Sequence, residues 1–432
     1  MGSDWSPWRY GKHNHVIIKL AVSILLVGLA FRLFASSSGG LERVSEVRES
    51  NLSFSDGYAG ERSDTQVPDS GASVTQTNKS GEGKCDFFVG DWIYYPSGPR
   101  YTNATCPRIE DHQNCMKNGR PDSDYLYWRW KPRYCEMPVF DGEKFLEMMR
   151  NKTWAFIGDS ISRNHVQSFL CLLSQVAEVV DVYHDEEYKS RTWQFPSYNF
   201  TLAVIWSPFL AKADIFEDIN GVSTSEIELH LDVLDKKWTD QFEKFDFVVI
   251  AGGKWFLKTS IFYEEGKIVG CHYCPKRNLT ELGFQHSYRK VLGSVFDYIA
   301  TSKHNVVTFF RTSTPSHFEN GEWFSGGTCK RTRPFKENEI SISDMDRILR
   351  DIELEQFEKA LERQTANTAK FKLFDTTMLS LLRPDGHPGP YRQLHPFAQD
   401  KNAKVQNDCL HWCLPGPIDS WNDMLMKMVE DD

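Results

Sequence analysis

The sequence predicts an α/β domain built on a mostly parallel β-sheet with helices on both faces. After Lys152, short β-rich apolar runs alternate with helical stretches; the strand candidates are Thr153–Gly158, Phe200–Trp206, Phe245–Ala251, Asn305–Phe310 and Phe371–Phe374. Between them, Arg163–Val176 and Phe284–Thr301 carry apolar residues at helical spacing. A further amphipathic helix starts at Asp344, read as its N-cap, and runs to about Gln364. No internal repeat is visible.

Ahead of this domain the chain divides by composition. Residues 1–15 read as a cytosolic tail, with Arg9 and Lys12 on the cytosolic side of a largely apolar stretch, residues 16–35. That stretch has the length that spans a bilayer, and Lys19 and Arg32 are placed to snorkel to opposite faces, so it reads as a transmembrane signal anchor. A cleaved signal peptide ending near Ala35 is the competing reading. Residues 36–84 are rich in Ser, Gly, Asp, Glu and Thr and cannot bury enough apolar surface to offset ordering entropy, which makes them a flexible lumenal stem. Residues 85–150 form a Cys/Trp-rich minor lobe with little periodicity, containing Trp128-Arg-Trp-Lys-Pro132, and residues 151–432 form the α/β domain.

Charge and cysteine content narrow the setting. The 432 residues hold 50 Lys+Arg against 59 Asp+Glu, a formal charge of −9, with no long basic run, which disfavours nucleic acid and anionic lipid as the main partner. Ten cysteines, at 85, 106, 115, 135, 171, 271, 274, 329, 409 and 413, suit disulfides in an oxidising lumen. Only Cys271 and Cys274 form a tight C-x-x-C, read as a local disulfide, and no metal site is expected. Sequons at Asn51, Asn78, Asn103, Asn151, Asn199 and Asn278 agree with a secretory route. Anchor, stem and lumenal domain together give the layout of a single-pass type II protein of the Golgi membrane.

The chemistry concentrates at two places far apart in sequence. Phe156-Ile-Gly158-Asp159-Ser160 ends the first strand of the domain and passes directly into a helix, setting a serine hydroxyl at a strand's carboxyl end and a helix N-terminus, where N–H groups can face an oxyanion. Asp408-Cys-Leu-His411-Trp-Cys-Leu-Pro-Gly416 places an acid and an imidazole three residues apart between two cysteines. A serine alcohol needs a base within hydrogen-bond reach, and that base needs a partner that fixes its tautomer, so Ser160, His411 and Asp408 are the expected nucleophile, base and orienting acid.

These motifs resemble those of the plant trichome-birefringence-like proteins, polysaccharide O-acetyltransferases with a GDSL/SGNH-like catalytic domain. Gly158-Asp-Ser160-Ile-Ser-Arg-Asn164 and Asp408-x-x-His411-Trp-Cys-Leu-Pro-Gly416 carry the resemblance. Cys85-Asp, Asn114-Cys-Met, Gly119-Arg-Pro-Asp122, Phe310-Arg-Thr312, Asn320-Gly-Glu-Trp323 and Gly326-Gly-Thr-Cys329 extend it over residues 85–432. It implies a three-layer SGNH-like sandwich and transfer of acetyl groups through an acetyl-serine. Phe256-Leu-Lys258, Ser313-Thr-Pro315 and Gly386-His-Pro-Gly389 are most similar to the branch holding mannan and xyloglucan acetyltransferases, with mannan or glucomannan the first expectation, then xyloglucan or xylan. A carbohydrate acetylesterase using the same triad is the nearest rival, since a triad does not by itself favour a sugar over water.

One departure concerns the oxyanion hole, where many family members have Gly-His-Trp and this chain has Gly252-Gly253-Lys254-Trp255. A backbone N–H of Gly252 or Gly253 is the expected donor, Arg163 and Asn164 are expected to support the hole or the acyl group, and Lys254 has no assigned role. Trp128, Trp130, Trp255 and Trp412 are the candidates to line the glycan groove, with the core of the minor lobe an equal reading for Trp128 and Trp130. His165 and His387 are read as structural or substrate-side. No bound cofactor is expected; an acetyl donor is the co-substrate, its identity left open by the sequence because no P-loop or G-x-G-x-x-G is present, and acetyl-CoA needs neither motif. Asp122-Ser-Asp124 and Asp344-Met-Asp346 imitate the D-x-D of a glycosyltransferase, a second class that suits the layout, and a non-catalytic glycan-binding protein is a third.

Overall fold

The computed structural model describes residues 86–216, 225–363 and 369–431. The expected tail, anchor and stem, with Asn51, Asn78 and Cys85, lie outside the described residues. Among those described, no helix is long and apolar enough to cross a membrane.

The strands in chain order are β1 Gly90–Tyr94, β2 Trp128–Pro132, β3 Thr153–Gly158, β4 Val180–His184, β5 Arg191–Phe195, β6 Phe200–Trp206, β7 Ala211–Asp214, β8 Ile227–Leu234, β9 Phe247–Ile250, β10 Ser260–Glu264, β11 Lys267–His272, β12 Val307–Arg311 and β13 Lys370–Phe374. The longer helices are α1 Gly142–Met148, α2 Ser160–Leu173, α3 Gly283–Thr301, α4 Asp344–Arg363 and α5 Asp419–Glu430.

The principal sheet has seven strands in the order β13-β12-β9-β3-β6-β5-β4. From β13 to β6 neighbours are parallel, and β5 and β4 finish the sheet antiparallel. All five expected strands are members. Their unbroken apolar character follows from burial on both faces. In β3, Trp154 and Phe156 enter one core with α1, α2 and α5, while Ala155 and Ile157 enter the other with α3 and α4. Trp154 is fully buried, and truncating such a ring costs roughly 3–5 kcal/mol.

Two elements differ from expectation. A second sheet, β11-β10-β8-β7, stands beside the first and was not anticipated. Its β8 reads Ile-Glu-Leu-His-Leu-Asp, with Ile227, Leu229 and Leu231 buried, a period-two pattern. The other is the cap of α4. Asp344 is the helix's first residue rather than its N-cap; Ser343 caps it, its Oγ accepting the Asp346 N–H (3.1 Å) and donating to the Asp346 carboxylate (2.7 Å).

The minor lobe is built on the antiparallel β1–β2 pair and short 3₁₀ turns. Disulfides Cys106–Cys171 and Cys115–Cys413 join it to α2 and to the C-terminal loop, while Cys329–Cys409 holds that loop from the other side. Cys271–Cys274 is local, and Cys135 is disulfide-bonded as well. Asn151, Asn199 and Asn278 are exposed and Asn103 is half-buried.

Candidate active site

The site begins at the carboxyl end of β3, the middle strand of the sheet. Gly158 has φ +153°, and a Cβ there would stand 2.5 Å from the Ala251 carbonyl oxygen and 2.7 Å from Ser162 Oγ, so a glycine is required for the chain to turn beside β9. Asp159 then caps α2, its carboxylate accepting the Ile161 N–H at 3.0 Å; such a cap contributes about 1 kcal/mol. Ser160 is the first residue of α2, so its own N–H has no intrahelical acceptor.

Ser160 Oγ lies 2.7 Å from His411 Nε2, and His411 Nδ1 lies 2.8 Å from Asp408 Oδ2. The other Asp408 oxygen accepts the backbone N–H groups of Leu410 (3.1 Å) and His411 (3.0 Å). A carboxylate only accepts, so His411 Nδ1 carries the proton and Nε2 turns its lone pair to the serine. Burial alone would raise the Asp408 carboxyl, but the His411 ring and backbone N–H outweigh it and hold the group well below the usual carboxylate range. Burial would likewise lower His411; the Asp408 charge and hydrogen bond outweigh it and raise the imidazole above its ordinary value.

The loop carrying Asp408 and His411 is fixed from several directions. Asn164, one turn into α2, donates from Nδ2 to the Trp412 carbonyl (3.2 Å) and accepts the Trp412 N–H on Oδ1 (2.7 Å). Asp408 and Gly389 exchange two backbone hydrogen bonds, the Leu414 N–H donates to the Gln113 carbonyl, and the flanking cysteines are both cross-linked. Asn164, expected from sequence to support the oxyanion hole or the acyl group, has both ends of its amide tying the histidine loop to the serine's helix.

Other expected site residues are distributed differently. The β3–β9 register pairs Ile157 with Ile250 and continues through the Ala251 N–H to the Ile157 carbonyl, so Gly252 and Gly253 follow β9 at the same end of the sheet at which Asp159 and Ser160 follow β3. Gly253 has φ +125°, and a Cβ would press to 2.9 Å from that of Ser313. Behind this turn the buried Glu353 carboxylate accepts the Ser313 N–H and the Tyr288 hydroxyl (2.6 Å), and burial pushes its pKa up to about 7. Lys254 forms an ion pair with buried Asp346 of α4, which anchors the glycine turn from behind and removes the D-x-D reading of Asp344-Met-Asp346. Arg163 pairs with Glu110 (3.0 Å) and lies over the Trp206 ring.

Two of the four tryptophans lie in the core. Trp130 is buried with its indole N–H on the Phe87 carbonyl, and Trp412 is wholly buried and stacked on His387 at 4.3 Å, so neither ring offers a face to a glycan. Trp128 is half-buried, edge-on to Tyr94 in the minor lobe. Trp255 is half-buried against Trp206, with the Lys258 ammonium 3.8 Å over its ring. His165 is buried and its Nε2 meets the Asn422 side chain, a structural position.

Sequence reasoning missed His112 of the minor lobe. Its ring stands edge-on to His411 at 6.3 Å between centroids, and its Nε2 lies 3.5 Å from Glu110. No motif announces it; the only sequence clue is the neighbouring Cys115, which the disulfide draws to Cys413.

Comparison with known proteins agrees with this geometry. Residues 137–428 match the GDSL/SGNH-like acyl-esterase family found in Pmr5 and Cas1p, and residues 83–136 match the PMR5 N terminal domain. Protein trichome birefringence-like 25 of Arabidopsis thaliana is 56% identical over 428 residues, 97% of this chain and 93% of that protein. Protein trichome birefringence-like 24 of the same plant is 50% identical over 422 residues, 96% of each chain. Xyloglucan O-acetyltransferase 1 of A. thaliana is 41% identical over 383 residues, 85% of this chain and 89% of its own. A serine at the head of α2, meeting a histidine and an aspartate from a C-terminal loop on an SGNH-like α/β sheet, belongs with those matches: the chain is a member of the trichome birefringence-like family of plant polysaccharide O-acetyltransferases.

Proposed function

We propose that this O-acetyltransferase acetylates hemicellulose in the Golgi lumen, with mannan or glucomannan as acceptor and an acetyl-serine intermediate on Ser160. The observation that carries the reading is the continuous Ser160–His411–Asp408 hydrogen-bond chain. His411 Nε2 takes the Ser160 proton as Oγ attacks the carbonyl carbon of an acetyl donor such as acetyl-CoA. The tetrahedral oxyanion faces the N–H of Ser160 and of the Gly252–Gly253 turn. Its collapse breaks the bond to the donor's leaving group, which departs with the proton from His411. A sugar hydroxyl then gives its proton to Nε2 and attacks the acetyl-serine, and collapse of the second tetrahedral adduct releases the acetylated sugar and returns the proton to Ser160.

Mannan is placed before xyloglucan because the chain is 49–58% identical to four trichome birefringence-like relatives and only 41–43% identical to the three relatives named for xyloglucan and to trichome birefringence-like 19. The disulfides suit an oxidising lumen, and the apolar stretch at 16–35 supplies the membrane anchor. The test is mass spectrometry of glucomannan, xyloglucan and xylan oligosaccharides incubated with the protein and an acetyl donor. Acetyl gain on mannan oligomers, lost in Ser160→Ala, supports the proposal; gain on xyloglucan alone moves the acceptor, and retained transfer by Ser160→Ala ends the mechanism. The matched family is described as acyl-esterase, which favours hydrolysis as a second reading; rapid acetate release from acetylated glucomannan without donor would support it.

A further inference from the structure

His317 and His387 are buried beside the loop that carries His411. His317 Nε2 lies 2.9 Å from the Leu381 carbonyl oxygen, His317 Nδ1 lies 2.7 Å from His387 Nε2, and His387 Nδ1 lies 2.7 Å from the His411 carbonyl oxygen. A carbonyl oxygen only accepts, so the two outer nitrogens must both carry protons. Two neutral imidazoles own two ring protons, and both are then used at the ends. The inner contact would set two lone pairs against each other at a distance that only a hydrogen bond tolerates. A third proton between the rings removes the conflict.

The geometry points to a proton-sharing His317–His387 pair, one imidazole and one imidazolium, that positions His411 by holding its backbone carbonyl. The pair is not part of the acyl-transfer chemistry; its link to catalysis rests on the proposed role of His411, whereas the proton count does not. His317 is further tied to the loop by its own N–H, which donates to the Cys409 carbonyl at 2.9 Å. His387 stacks on Trp412, a ring face able to accept positive charge.

The charged groups facing the pair are Asp346, Asp385 and Asp408, which favour a proton, and Arg120 and Lys254, which oppose it. Arg120 reaches it directly, donating to the His387 carbonyl, and Asp385 is itself paired with Arg383. Burial pushes both rings below the ordinary histidine value and so opposes the third proton; the inner contact is what holds it, and it is released as pH rises. On release, one of the three contacts has to open, and the last of them ends on His411.

The test uses the full chain labelled with ¹⁵N-histidine. At pH 5, proton and nitrogen spectra should show three hydrogen-bonded imidazole protons on this pair, one of them lost as the pH is raised. Only two at pH 5, with His317 Nδ1 and His387 Nε2 both unprotonated, would overturn the proposal. His317→Gln offers an amide N–H to His387 Nε2 and removes the need for the extra proton. In that variant the titration should vanish from the spectra, and any matching inflection should vanish from the pH profile of kcat. A titration of His387 unchanged in His317→Gln would also overturn it. Three protons at pH 5 in a protein without transferase activity would refute the acyl-transfer reading and support the pair.

Discussion

The sharpest test of the Ser160–His411–Asp408 arrangement is Asp408→Asn, because the structure dictates which way the new amide turns. One Asp408 oxygen is held by two backbone N–H groups, those of Leu410 at 3.1 Å and His411 at 3.0 Å. An asparagine must keep its oxygen there, since an NH₂ would face two donors. Its NH₂ then replaces the oxygen that lies 2.8 Å from His411 Nδ1. Opposite that donor, Nδ1 has to accept, and the imidazole proton moves to Nε2, the atom 2.7 Å from Ser160 Oγ. The ring stays in place but can no longer take the serine proton. Where an orienting aspartate of a serine triad is neutralised in this way, the loss is about 10⁴-fold, or roughly 5.5 kcal/mol of transition-state stabilisation. The assay is single-turnover formation of acetyl-Ser160 by intact mass near neutral pH, with circular dichroism and thermal melting to show that the fold is kept. A well-folded Asp408→Asn protein that acetylates Ser160 within about tenfold of the parent rate would refute this assignment of roles.

Other consequences can be read from the same interactions. Because Asp408 raises the His411 imidazole, the base is lost as pH falls through a value above the ordinary 6.5, so the acid limb of the kcat/KM profile should lie above that point and shift down in Asp408→Asn. Stability follows the same linkage: the lowered Asp408 carboxyl contributes above its ordinary pKa and is lost as pH falls, whereas the raised His411 contributes below its ordinary pKa and is lost as pH rises, which a series of urea midpoints would reveal. Asn164→Ala leaves a buried N–H and carbonyl of Trp412 without partners, at about 1–3 kcal/mol each, so calorimetry should show a lower Tm and kinetics a fall in kcat through misplacement of His411. Cys413→Ser opens the Cys115 cross-link, which spans 298 residues, and should cost about 2–5 kcal/mol in denaturant titration.

The parallel sheet and the serine's helix were legible because strands buried on both faces have unbroken apolar runs and because a glycine, a cap and a serine stand together at the end of β3. Asp408 and His411 were legible for a different reason: three residues of spacing inside a short turn already bring carboxylate and ring together. Side chains serving the loop rather than the chemistry were not. Asn164 sits next to motif residues and so reads as part of the oxyanion apparatus, and Lys254 beside the glycine turn has no role that its neighbours suggest, yet each has its polar atoms taken up by distant elements, Trp412 and Asp346. For Trp130 and Trp412 the sequence does not decide, because an indole suits a core as well as a sugar, and only packing distinguishes the two. His317 and His387 stand 70 residues apart, and no local pattern says that their rings meet.

The minor lobe is more than a cover on the catalytic domain, and removing it tests this directly. The Leu414 N–H donates to the Gln113 carbonyl, Cys413 is joined to Cys115, and Arg120 donates to the backbone carbonyls of Asp385 and His387. Each contact supports the loop that carries His411 or the histidine pair beneath it. The lobe also contributes buried Trp92, Tyr101, Ile109 and Trp130 to the core shared with β3, α2 and α5. A chain starting at residue 137, where the acyl-esterase match begins, therefore loses both apolar partners and the supports of its general base. At roughly 1.5–3 kcal/mol for each large side chain left without its burial, the deficit from these contacts alone reaches the scale of a whole domain's stability. The fragment should be protease-sensitive, bind a hydrophobic dye, and form no acetyl-Ser160. A fragment 137–432 that melts cooperatively and acetylates Ser160 at the parent rate would show instead that the C-terminal loop holds His411 in register without the minor lobe.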